Sequence, residues 1–72
     1  MSFKKVNLIS ILGTDLIKTT YRISFTDSTY QDLPGNLQLC ILDIYNNKIY
    51  KSIKNIKIGD RISISVLNNY SI

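Results

Sequence analysis

Lys18 and Arg22, the evenly spaced Lys48, Lys51, Lys54 and Lys57, and the tyrosines Tyr30, Tyr45 and Tyr50 are the side chains whose types and spacing point to chemistry. That chemistry is contact with a polyanion. Lysine and arginine follow a phosphate backbone whatever its sequence, and exposed aromatic rings accept the face of any base. The mixture is what a sequence-independent single-strand groove needs. The candidate nucleic-acid-binding residues are therefore Lys18, Arg22, Tyr30, Tyr45, Lys48, Tyr50, Lys51 and Lys54. A blander reading stands beside this one: a lysine series is also a solvated face that keeps a small protein soluble. For Tyr21 and Phe25, which share a strand face with Ile23, burial in the core is expected over stacking.

Catalysis and metal binding find little to work with. The chain has no His, Glu or Trp, a single Cys, and five Asp as its only carboxylate side chains, so most groups that acid-base and metal chemistry use are missing. Asp15, Asp27, Asp32, Asp43 and Asp60 fall mostly where strands end, where Asp caps turns. The serines have no histidine to activate them, and Gly13 and Gly59 belong to no phosphate-cradling loop. A non-enzymatic chain without cofactor or metal is expected.

Seventy-two residues make one domain spanning 1–72, too short to divide its apolar residues between two cores. With 44% hydrophobic and 19% charged residues it is too apolar for a disordered tail and too interrupted for a membrane span. The net charge of +4 fits a polyanion partner without requiring one. Cys40, alone between Leu39 and Ile41, predicts a reducing compartment, and no run at the amino end reads as a signal peptide. The expected location is cytoplasmic or, given a residue bias to Ile, Lys, Asn, Ser and Tyr with no Ala, the stroma of a plastid with an AT-rich genome.

Alternation supplies the elements that must position these residues. Over residues 20–26, Tyr21, Ile23 and Phe25 take one face of a strand against four polar residues. Residues 6–12 form a denser apolar run, expected to be a strand buried on most of both sides and closed by Gly13-Thr14-Asp15. Breakers dominate residues 27–36. A third strand follows over 37–45, with a phase slip at Leu42 and Ile44 that predicts a bulge or a covered second face, and a fourth over 61–67. Residues 46–58 are open to two readings. At 3.6 residues per turn Ile49, Ile53 and Ile56 share a helix face, with the lysines on the other side, Asn available as a cap and Gly59 past the end. Alternatively, Asn46-Asn47 turns a hairpin. The helix gives an all-β, small OB-fold-like barrel of four to five antiparallel strands with one short helix between strands 3 and 4; the hairpin gives an SH3-like barrel instead.

Lys5-Val6-Asn7-Leu8-Ile9-Ser10-Ile11-Leu12-Gly13-Thr14-Asp15 resembles the opening K-V-x-L-I-G-x-L-G-x-D of bacterial single-stranded DNA-binding proteins, with Ser10 where that family has glycine and Leu16 where it usually has proline. Tyr45-Asn46, and Lys57-Ile58-Gly59-Asp60-Arg61-Ile62-Ser63-Ile64 after them, look like that family's F-G, short helix, L-K-K-G and V-x-V-x-G segment. Short reading frames of this kind are known from plastid and cyanobacterial genomes, and the residue bias here is similar to theirs. The resemblance implies an OB-fold that binds single-stranded DNA or RNA, with Tyr45 packing as the family's phenylalanine does. Three departures bear on that function: no stacking Trp, no long hairpin between the second and third strands, and no acidic tail. After Leu67 only Asn68-Asn69 and a three-residue end remain for a fifth strand. An open strand edge is therefore expected, and with it a second possible partner: another protein chain, in a homo-oligomer or a larger complex to which this chain is an accessory subunit.

Overall fold

The computed structural model describes residues 3–14 and 19–70, which form an all-β fold with one short helix. In chain order the elements are β1 (Phe3–Thr14), β2 (Thr19–Phe25), β3 (Tyr30–Pro34), β4 (Gln38–Leu42), β5 (Lys48–Ser52), a 3-10 turn (Ile53–Asn55), β6 (Arg61–Ser63) and α1 (Ile64–Asn68). Every strand pairing is antiparallel, and the order across the sheet is β3-β2-β1-β6-β4-β5. β3 and β5 stand at the two ends, so among the described residues the small barrel does not close. The long strand β1 joins its halves: Phe3, Lys4 and Lys5 pair with β6, and from Val6 onward the same strand pairs with β2. The register shifts between Val6 and Leu8, a bulge of the kind that bends a strand.

Alternation selects the core. Ile23 and Phe25 of β2, Leu33 of β3, Leu39 and Ile41 of β4 and Ile62 of β6 are buried, joined by Val6, Ile53, Ile56 and Leu67. Burying each such side chain stabilises the fold by roughly 1.5–3 kcal/mol. The alternation over 20–26 is thus realised, with Phe25 in the core and Tyr21 packed against it.

Residues 46–58 form the hairpin and not the helix. Asn46 takes φ 66°, the left-handed conformation that Asn tolerates, and closes a turn in which its N–H donates to the Asp43 carbonyl at 3.1 Å. The Asp43 N–H donates to the Asn47 carbonyl at 3.0 Å, and the Asp43 carboxylate accepts from the N–H groups of Tyr45 and Asn47. Ile49 sits opposite Ile41 on β4, while Ile53 and Ile56 reach the same core through the 3-10 turn and the extended residue after it. Strand and 3-10 turn together bury the isoleucines that a helix face would also have aligned, and β-branched residues favour the strand.

The structure differs from the sequence expectation at four further places. Residues 27–36 contain β3, an edge strand whose inward Leu33 is fully buried and whose Pro34 stands at its end. Strand β4 ends at Leu42, and Ile44 lies in the hairpin loop, 64% exposed, so a turn and not a bulge explains the phase slip. The strand expected over 61–67 ends at Ser63. Helix α1 then drops Leu67 into the core, and its carbonyl accepts from Gln31 Nε2 at 2.7 Å. Burial of Leu67 outweighs the alternation of Ile62, Ile64 and Val66. Finally, Leu8, Ile11 and Leu12 of β1 are exposed: Leu8, opposite Ser24, takes the outward face while Ile9, opposite Ile23, packs against the core, so the run is not covered on both sides.

Asp60, the one buried charged side chain among the described residues, sets where β6 begins. One carboxylate oxygen accepts from Lys51 Nζ at 2.9 Å and from the Lys57 N–H at 2.8 Å. The Asp60 N–H donates to the Lys57 carbonyl, closing a turn whose third residue, Gly59, has φ +97°. Gly35 is needed for another reason. A Cβ there would lie 2.9 Å from the Thr19 carbonyl oxygen, the acceptor of its own N–H.

Replacing Asp60 by Ala should lower unfolding free energy by about 1–3 kcal/mol, because the Lys57 N–H and the partly buried Lys51 ammonium both lose their acceptor. Gly35→Ala should cost about 1–3 kcal/mol through the backbone clash. Urea titration followed by circular dichroism checks both. Loss of less than about 1 kcal/mol for Asp60→Ala would contradict the role given to the ion pair.

Candidate nucleic-acid interface

Directly opposed residues of antiparallel strands project to the same face, so the register assembles the surface. Lys5 lies opposite Arg61, Arg61 opposite Leu42, and Leu42 opposite Lys48. These four form one row across β1, β6, β4 and β5 on the side away from the core. Beside that row on the same face, Cys40 lies opposite Tyr50. Tyr50 is 80% exposed, and Tyr45 in the adjacent β4–β5 loop is 76% exposed. The expected packing of Tyr45 in the core is therefore corrected: its place in the turn directs the ring outward.

Among the described residues the ion pairs lie away from this row. Lys4 pairs with Asp27 at 3.3 Å, Arg22 with Asp32 at 2.8 Å and Lys51 with Asp60 at 2.9 Å. Asp43 is engaged by the backbone of its own turn. Among the described residues this leaves Lys5, Lys48, Lys54, Lys57 and Arg61 without a carboxylate partner. Three of them lie in the row across the outer face.

The candidates read from the sequence separate accordingly. Lys48 and Tyr50 share the outer face of β5, and Tyr45 is exposed in the loop that leads into that strand. Lys51 does not join them: it occupies the inward register position beside Leu39 and reaches Asp60. The lysine series consequently makes no single stripe. Lys54 is exposed on the 3-10 turn, where its N–H donates to Ser52 Oγ. Arg22 lies on the other half of the sheet, with both Asp32 oxygens accepting from its guanidinium, which also stacks over the Tyr30 ring at 4.2 Å from the centroid. The hydrogen bond to Asp32 raises the Arg22 pKa further, and the same bond holds the Asp32 carboxyl below its ordinary value. Arg22 and Tyr30 are thus committed to one another. Lys18 lies outside the described residues.

Sequence reasoning missed Lys5 and Arg61 as site residues. The alternation around Ile62 already puts Arg61 on an outward face. What the sequence lacks is the register that sets Arg61 beside Lys5 and Lys48. No group of His, Cys or Asp that could hold a metal ion occurs among the described residues. No helix there is long and apolar enough to cross a membrane.

Three carboxylates have depressed pKa values: Asp27 through hydrogen bonds from the Thr29 side chain and N–H, Asp32 through Arg22, and Asp43 through the N–H groups of Asn47 and Tyr45. A depressed folded pKa contributes stability above the unfolded value near 3.9, and that contribution is lost as pH falls toward the folded value. With no His, the melting temperature should stay flat from about pH 8 down to about pH 5 and then fall below about pH 4. Calorimetry over that range checks this; a midpoint of the decline near neutrality would contradict it.

No protein-family model, curated protein or solved structure matches this chain.

Proposed function

We propose that this protein is a non-catalytic module that binds single-stranded nucleic acid, without sequence preference, on the outer face of β1, β6, β4 and β5. Lys5, Arg61 and Lys48 contact successive phosphates, and Tyr50 and Tyr45 offer rings to bases. One observation carries the reading: among the described residues, three of the five cations without carboxylate partners, Lys5, Arg61 and Lys48, share one face with the most exposed tyrosine, Tyr50, while Lys4, Arg22 and Lys51 are neutralised elsewhere. The OB-fold that the family resemblance implies is not needed for this function. An open face with cations and rings has the same chemistry whatever the strand order behind it.

A second reading is favoured by the edges of β3 and β5, unpaired among the described residues, and by the exposed Leu8, Ile11 and Leu12: an accessory subunit docked by a strand edge onto another protein chain. Lys48 and Lys51 within β5 weaken it at that edge, since lysine on an edge strand opposes pairing.

Fluorescence anisotropy of a labelled short oligothymidylate, titrated at several salt concentrations, tests the first reading. Three phosphate contacts should give a log-log salt slope of about −2. Tyr50→Ala should weaken binding by about 1–3 kcal/mol, whereas Arg22→Gln should leave affinity within about twofold. Absence of binding at low salt would sink the proposal. Light scattering after size exclusion tests the second reading, because a monomer at high concentration argues against a self-pairing edge.

A further inference from the structure

Between the β4–β5 hairpin and the turn that precedes β6 lies an open cleft of about 440 Å³, lined by Lys5, Ile44, Asn46, Gly59 and Arg61. Its walls have two chemistries. Lys5 and Arg61 make it cationic on one side, and Ile44, 64% exposed, makes it apolar on the other. The two cations are directly opposed across β1 and β6, an arrangement of like charges that destabilises a strand pair, and neither has a carboxylate partner among the described residues. Violations of a local rule are expected where a position is functional or strained.

Arg61 is nevertheless held in place. Its Nη2 donates to the Asp43 carbonyl at 2.9 Å and to Asn46 Oδ1, so the hairpin turn orients the guanidinium beside the cleft. Those bonds use one nitrogen of the guanidinium, and Nε and Nη1 carry further donors. A Cβ at Gly59 would stand 3.7 Å from Ile44 Cγ2, so glycine and isoleucine face one another with no side chain between them. Preset cationic donors beside a bare apolar surface match a phosphate group attached to a flat ring.

We propose that this cleft seats one nucleotide, with its phosphate between Lys5 and Arg61 and its base against Ile44. The proposal rests on the nucleic-acid reading above and assigns one discrete subsite within that face. Phosphate in a chain and phosphate on a free nucleotide have the same chemistry here.

The test is an amide nuclear magnetic resonance titration of the ¹⁵N-labelled full chain with a short oligothymidylate, with uridine 5′-monophosphate and with uridine. The strand should displace the resonances of Asn46, Gly59 and Arg61. Displacement by the monophosphate as well assigns the seat to any nucleotide phosphate, and displacement by the strand alone assigns it to an internal phosphodiester. Lys5→Gln, an exposed change that leaves the fold intact, should weaken the strand's displacement of these resonances about tenfold, the worth of one charge-assisted hydrogen bond. If the strand binds and shifts Lys48 and Tyr50 while Asn46, Gly59 and Arg61 stay still, the seat is overturned and the binding face survives. Equal shifts from uridine and its monophosphate also overturn the seat. Absence of strand binding overturns the nucleic-acid reading and the seat with it.

Discussion

The buried carboxylate of Asp60 is the constraint on which the arrangement depends. A charge 3% exposed is tolerated only where it is paired and hydrogen-bonded, and Lys51 and the Lys57 N–H meet that requirement. The contact ties β5 to the turn before β6. The backbone then carries the constraint to β1: the Val6 N–H donates to the Asp60 carbonyl at 2.8 Å, and the Gly59 N–H donates to the Val6 carbonyl at 3.0 Å. Once residues 59 and 60 are fixed against Val6, Arg61 must fall opposite Lys5 and Leu42. The cationic row therefore follows from a neutralised charge on the other side of the sheet.

The β2–β3 and β4–β5 hairpins show a related economy. In each, an N–H three residues on donates to the first residue's carbonyl, at 3.1 Å from Ser28 to Phe25 and at 3.1 Å from Asn46 to Asp43. In each the last loop residue is left-handed, Ser28 at φ 71° and Asn46 at φ 66°. A type I turn followed by a left-handed residue is a standard three-residue hairpin connection. Both loops use an aspartate to hold backbone or hydroxyl donors, so Asp27 and Asp43 stabilise turns and leave the cations of the outer face without carboxylate partners. Carboxylates at turns and cations on the face divide the net charge of +4 unevenly in space.

Between Tyr45 and Gly59, where the family resemblance implies a short helix, the chain forms β5 and a 3-10 turn. Residues 5–14 of the family resemblance's opening motif lie in β1, the strand shared by both halves of the sheet, where Val6 is buried and Leu8, Ile11 and Leu12 are exposed.

The sequence by itself determined the all-β class, the inward faces of β2 and β4, the turn at Asn46-Asn47 as one of two readings, and a surplus of cations over carboxylates. Each of these rests on near neighbours in the chain: alternation has period two, and turn residues act on their own backbone. Tertiary structure decided which turn reading holds, that Leu67 is buried by a helix and not by a strand, that β3 forms at all, and which lysines remain unpaired. Those outcomes depend on residues far apart in sequence. Lys51 and Lys48 look equivalent along the chain, but the pleat turns one toward Asp60 and the other toward solvent. Likewise, Lys5 and Arg61 become neighbours only when β1 and β6 pair, because register between distant strands is fixed by what the core can bury.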